Sequence, residues 1–365
     1  QATGTTSTQA LTITVDDAQT GAAGVTALNT VAAATTGTVT ASISGNAADL
    51  DDLTASGTTA TQAYTITVDD AVTSAQGALI VAATNAVAVD FSAAGVSDAF
   101  GNLVDGDGTT SDDFDATVAK DGDINVSVTG TIADASAQNV TDLNALMNAT
   151  TGTVTATIDG NAAELDGLQA TGTTSTQALT ITVDDAVTSA QGALIVAATN
   201  AVAVDFSAAG VSDAFGNLVD GDGTTSDDFD ATVAKDGDIN VSVTGTIADA
   251  SAQNVTDLNA LMNATTGTVT ATIDGNAAEL DGLQATGTTS TQALTITVDD
   301  AQTGAAGVTA LNTVAAATTG TVTASISGNA ADLDDLTASG TTATQAYTIT
   351  VDDAVTSAQG ALIVA

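Results

Sequence analysis

The chain contains no cysteine, proline, histidine, tryptophan or arginine, and aromatic residues make up only 2% of its 365 positions. Each absence excludes something. Without cysteine there is neither a disulfide staple nor a thiolate metal site. Without histidine, cysteine or arginine, nothing is available to orient or activate a reacting group, so no enzyme is expected. Lys120 and Lys235 are the only cations against 44 acids, leaving a formal charge of −42. That sign excludes nucleic acid and anionic membrane surfaces as partners. The longest apolar run, "ALIVAA" at 78–83, falls far short of the roughly 18 residues of a membrane helix, so no transmembrane segment is expected. The chain opens on Gln1 without a signal-peptide pattern and stops mid-pattern at "GALIVA". It therefore reads as a segment of something longer.

What is present is mostly Ala, Thr, Val, Gly and Asp. Hydrophobic residues reach 44%, which is not the composition of a disordered chain, and a core of small side chains is available. The acids are Asp throughout, apart from Glu164 and Glu279. At physiological salt the screening length is about 8 Å, so neighbouring carboxylates repel and external cations must balance them. Asp is a hard oxygen ligand, which makes calcium the expected cofactor. The alternative is a solvated coat that only keeps copies apart.

Repetition organises the chain. Residues 1–82 are identical to residues 284–365, and the block beginning at Asp69 recurs at Asp184 after a shift of 115. Inside these blocks lies a shorter unit. Alternating apolar and polar runs begin at Leu11, Val39, Tyr64, Val87, Ile124, Val154, Leu179, Val202, Ile239, Val269, Leu294, Val322 and Tyr347. Each has the period of a half-buried strand. Between them the period changes: Val140, Leu143, Leu146 and Met147 share a helical face closed by Gly152, and Asn161 precedes Leu165 and Leu168 as an N-cap. The expected fold is a parallel β-solenoid with a strand plus a short helix per coil of about 27 residues, running as one continuous segment of about 13 coils over 1–365. Each coil buries its apolar edge against a near copy of itself, and the Thr residues form outward ladders. The rival architecture is a string of immunoglobulin-like β-sandwiches, one per 115 residues.

The sequence "LNAL", then "TTGTVTATIDG", then "NAAELDGL" resembles repeats in giant tandem-repeat cell-surface proteins of marine cyanobacteria and related bacteria. The resemblance covers most of the chain. It implies an extracellular, filamentous or surface-layer role and brings no catalytic residues.

Two acidic inserts, 99–123 and 214–238, stand outside that motif. In the first, Asp105 and Asp107 sit two apart among glycines, and Asp112, Asp113, Asp115, Asp121 and Asp123 come after them. The second repeats the set as Asp220, Asp222, Asp227, Asp228, Asp230, Asp236 and Asp238. Calcium takes six to eight oxygens, and such a segment supplies several carboxylates and carbonyls, although the spacing is not that of an EF-hand. These fourteen residues are the expected metal ligands. Paired acids after strands, such as Asp69 with Asp70 and Asp299 with Asp300, read as turn and capping residues or as a metal shared between coils. Lys120 and Lys235 read as ion-pair partners of neighbouring Asp. The chain is thus expected to be a structural extracellular repeat protein. It forms a calcium-stabilised fibre, sheath or surface layer from copies of itself, by end-to-end or lateral assembly, with surface glycans as a further partner. The alternatives are an adhesin stalk whose binding head lies elsewhere and, less favoured, an ice-binding threonine ladder, which charged positions interrupt.

Overall fold

The computed structural model describes residues 9–86, 89–91, 95–200, 204–206 and 210–365. The chain divides into two compact units, 1–181 with 197–201, and 182–196 with 202–365. In each unit parallel strands alternate with short helices, the repeating strand–helix pattern of a solenoid-like fold. Among the described residues every ladder between strands is parallel, which excludes the antiparallel sandwich. No helix among the described residues is long and apolar enough to cross a membrane.

In the first unit, strand Thr38–Gly45 lies between Ile13–Thr14 and Thr61–Val68. A second group stacks Val96–Ala99, Val126–Ile132 and Thr153–Gly160. In the second unit, Val211–Ala214, Val241–Ile247, Thr268–Gly275, Thr295–Val298, Thr321–Gly328 and Thr344–Val351 succeed one another in a single sheet. The alternation read from sequence sets which face is buried: Val154, Ala156 and Ile158 point into the core, and Thr153, Thr155 and Thr157 point out. Positions 87–88 and 202–203, the starts of the strands expected at Val87 and Val202, lie outside the described residues.

The helices match the expected faces. Helix Ala137–Ala149 buries Val140, Leu143, Leu146 and Met147, and it begins in a capping box between Ser136 and Asn139. Short helices such as Ala277–Leu280 start at an Asn whose side chain accepts the N–H three residues on.

Two side chains recur as fasteners between successive coils. The Asn of "LNAL" imitates a backbone strand: Asn259 donates to Gly282 O at 2.9 Å and accepts from Gln284 N at 2.9 Å. Asn144 does the same with Gly167 and Gln169. The first Thr of "TTG" is buried, and its hydroxyl reaches the preceding coil, as Thr265 Oγ1 does to Ile239 O at 2.6 Å. Position 267 is glycine because the Ile239 carbonyl crowds the place where a Cβ would stand. Threonine therefore has two roles, an outward ladder and a buried staple, and only the ladder shows as alternation.

The acidic inserts are folded. Helices Phe100–Leu103 and Asp112–Val118 occupy the first, with Leu103 and Phe114 buried in the core. Helix Asp112–Val118 packs against Ser74–Ala82, where Gly77 leaves room for Thr117. The strand Val96–Ala99 was not expected, because its inward position is a carboxylate. Asp98 is buried in place of an apolar side chain.

Candidate metal centre

The second unit brings three carboxylates together that come from three successive coils. Asp249, Asp274 and Asp299 each offer an oxygen, and all three oxygens lie within 4.8 Å of one another. The backbone explains the meeting. Strand Val241–Ile247 shifts register against Thr268–Gly275 between Ser242 and Thr246, where Gly245 has φ +78; such a bulge re-aims the residues after it. Asp249 then adopts a left-handed conformation, φ 47, which Asp tolerates better than most residues. Its N–H donates to Asp274 Oδ2 at 3.4 Å, and Ala250 N–H donates to Asp274 O at 2.8 Å. Asp274 is half-buried, while Asp249 and Asp299 are exposed.

The two members of the 299–300 acidic pair divide their work. Asp299 joins the carboxylate group, whereas Asp300 turns back and caps the preceding coil, accepting from Ala277 N at 2.8 Å. Asp70 and Asp353 cap Ala47 and Ala330 in the same way, at 2.6 and 2.7 Å. A carboxylate at a helix N-terminus meets unsatisfied N–H groups and the positive end of the dipole.

The fourteen expected ligands fall in several places. Asp105, Asp112 and Asp113 line a polar cleft of about 540 Å³ with Asp98, Asn102 and Ser111. In the second unit Asp228 lines a cleft of about 350 Å³ with Asp213 and Asn217. Asp107 and Asp222 close Asx turns, each accepting from the Thr two residues on, at 2.6 Å from Thr109 Oγ1 and 2.5 Å from Thr224 Oγ1. Asp115 and Asp230 accept from Thr110 and Thr225. Asp112, Asp113, Asp115, Asp227, Asp228 and Asp230 occupy first helical turns behind the caps Ser111 and Ser226, where negative charge favours the helix. The glycines beside Asp220 have positive φ and its backbone N–H donates to Thr224 O.

Asp121 and Asp123 line a further cleft, of about 410 Å³, with Asp90 and Lys120. Asp121 accepts from Phe91 N at 2.9 Å, and Asp236 accepts from Phe206 N at 3.0 Å. Burial, together with the neighbouring Asp123 or Asp238 carboxylate, raises the pKa of Asp121 and Asp236 against the pull of those N–H groups. Lys120 donates from Nζ to Ala86 O at 2.6 Å and so pins the insert to an earlier coil. Asp213 goes the other way. Burial pushes its pKa up, but hydrogen bonds from Asn217, Ser189 N–H, Ala214 N–H and the Ser189 hydroxyl outweigh that, leaving it lowered.

Sequence reasoning missed Asp249 and Asp274. The signal was available: Asp249, Asp274 and Asp299 recur every 25 residues, close to one coil. In a parallel stack, residues one coil apart stand side by side.

No protein-family model matches the chain, and no similar chain is found among the curated proteins.

Proposed function

We propose that this chain is part of an extracellular structural repeat protein, whose stacked coils form a calcium-stabilised fibre, sheath or surface layer with copies of itself. The convergence of Asp249, Asp274 and Asp299 carries this reading. Stacking near-identical coils places like charges about 4.8 Å apart, so the architecture that buries the core also concentrates carboxylates. A calcium ion bonded at 2.3–2.6 Å spans oxygens separated by up to about 4.8 Å, and water completes its shell at an exposed site. Asp249, Asp274 and Asp299 would hold the ion and so tie three coils together. Coil-to-coil fastening by Asn, Thr and Asp, recurring along the chain, suits an element that bears tension, as does the resemblance to giant cell-surface proteins. Surface glycans remain the further partner of this reading.

The test is a far-ultraviolet circular dichroism melt in excess chelator and again in millimolar calcium, with sedimentation alongside. A ligand at a hundred times its Kd stabilises the folded state by about 2.7 kcal/mol. The expected result is a higher midpoint in calcium, with the rise reduced in Asp274→Asn and oligomers growing with concentration. A melt indifferent to calcium removes the metal role, and a monomer under all conditions removes the assembly.

A further inference from the structure

The chain contains ten Asp–Gly pairs. In such a pair the glycine nitrogen can reach the aspartate side chain, and no Cβ on the glycine hinders the approach. The structure commits a reacting group in eight of the ten. Gly108 and Gly223 donate their N–H to the buried carboxylates of Asp142 and Asp257 at 2.7 Å, and Asp107 and Asp222 are held by Thr109 and Thr224. Gly167 and Gly282 donate to Glu164 O and Glu279 O at 3.1 and 3.3 Å. Asp159 and Asp274 lie in strands and accept from Asp134 and Asp249 N–H. Asp121 and Asp236 accept from Phe91 and Phe206 N–H.

The pairs Asp105–Gly106 and Asp220–Gly221 differ. Among the described residues no group donates to the Asp105 or Asp220 carboxylate, and none accepts from the Gly106 or Gly221 N–H. All four residues are exposed. Each pair opens a loop closed by a bridge, Val104 with Thr110 and Val219 with Thr225. Both glycines have φ +77, and nothing stands within 4 Å of the place a Cβ would take. The aspartate side chain therefore has room to fold over the main chain.

We propose that Asp105 and Asp220 are sites of spontaneous backbone modification, converting to isoaspartate through a succinimide. The Gly106 nitrogen bonds to Asp105 Cγ, the Cγ–OH bond breaks, and the hydroxyl leaves with the nitrogen's proton as water. Water then adds to one of the two ring carbonyls. Breaking the bond to Cγ restores aspartate. Breaking the bond to the main-chain carbon routes the chain through Cβ and Cγ and leaves the α-carboxylate beside it. Charge is the same before and after, but the main chain of a closed loop has gained one atom. Asp220 and Gly221 react in the same way. A nitrogen whose N–H is already donated must first give up that bond, which slows closure by about tenfold for each bond lost. The two uncommitted pairs therefore react ahead of the other eight.

The test ages the native chain in warm, neutral, heavy-oxygen water, beside the same chain unfolded in urea. Each passage through the ring leaves a heavy oxygen in a carboxyl group, and fragment-resolved mass spectrometry assigns it to a residue. The inserts 99–123 and 214–238 have identical sequences and are read together. In urea all ten pairs are expected to label at similar rates. In the native chain, label and isoaspartate are expected at Asp105 and Asp220 at about ten times the level at Asp107 and Asp222, two residues away in the same peptides. Asp105→Glu with Asp220→Glu keeps the charge but enlarges the ring, and is expected to abolish labelling at those positions. Equal native labelling of Asp105 and Asp107 overturns the proposal. So does a native chain that labels first at another Asp–Gly pair, or labelling that appears only in urea.

Discussion

Residues 9–82 and 292–365 have identical sequences and unequal structures. In the earlier copy, strand Thr61–Val68 buries every second residue and Tyr64 is 1% exposed. In the later copy, strand Thr344–Val351 buries none of its residues, and Tyr347 lines an open cavity. At the other end the order reverses. Leu11 is exposed and its strand is two residues long, whereas Leu294 is fully buried beside the four-residue strand Thr295–Val298. Helix Ser74–Ala82 buries Ser74, Gly77, Ile80 and Val81, while its copy Ser357–Ile363 buries only Ile363. The same letters are core or surface according to which coil lies against them. Burial in this architecture belongs to the interface between coils.

The comparison can be broken by paired substitutions, read coil by coil through native-state hydrogen exchange because a repeat array need not unfold in one step. The largest difference is expected between Tyr64→Ala and Tyr347→Ala. The first removes a fully buried aromatic ring, at about 3–5 kcal/mol, and the second is expected to lose less than half of that. Equal losses would mean that the later strand is covered in solution.

Next comes Leu294→Ala against Leu11→Ala, with about 2–5 kcal/mol expected for the buried leucine and under about 0.5 kcal/mol for the exposed one. Protection lost equally at both sites would contradict the exposure of Leu11. The staples are expected to follow the same order: Thr318→Val leaves a buried carbonyl of the preceding coil without its donor, at about 1–3 kcal/mol, and Thr35→Val, whose acceptor Leu11 lies at the exposed edge, is expected to cost less.

A pH profile sharpens the picture in the second unit. The pKa of Asp213 is lowered on folding, so its contribution is fully present above the unfolded value of about 3.9 and is lost as pH falls through the folded value. Protection of helix Ser189–Ala197, whose first N–H it accepts at 3.0 Å, should fall over that acid range in the native chain and not in Asp213→Asn. The smallest effect has the opposite sign. Among the described residues the buried Tyr64 hydroxyl has no hydrogen-bond partner, and burial pushes its pKa up to about 12. Tyr64→Phe should therefore stabilise its coil, by roughly 1 kcal/mol. A loss would show that the hydroxyl has a partner, such as ordered water.

Much of the fold was legible because it depends on period. Alternation from Val154 to Ile158 placed a strand, the spacing of Val140, Leu143, Leu146 and Met147 placed a helix, and recurrence implied stacking. The acidic inserts were harder to read. Their density of Asp reads as one ligand-bearing segment, yet Phe114 and Leu103 anchor it as helices and several of its carboxylates serve caps and turns. Asp98 hid a strand, since a buried carboxylate satisfied by Ser74 N–H, Ala99 N–H and Asn102 has no counterpart in a hydrophobic pattern.

The sequence by itself determined the local period, the repeat, the charge and the absence of cysteine, histidine and arginine, because these depend only on residue identity and spacing along one chain. The tertiary structure alone decided which Thr is a staple and which a ladder, which Asp of a pair caps a helix, and that residues 249, 274 and 299 converge. Those outcomes require knowing the register between coils. Register is a property of two neighbouring strands, fixed by how their buried faces and backbone hydrogen bonds align.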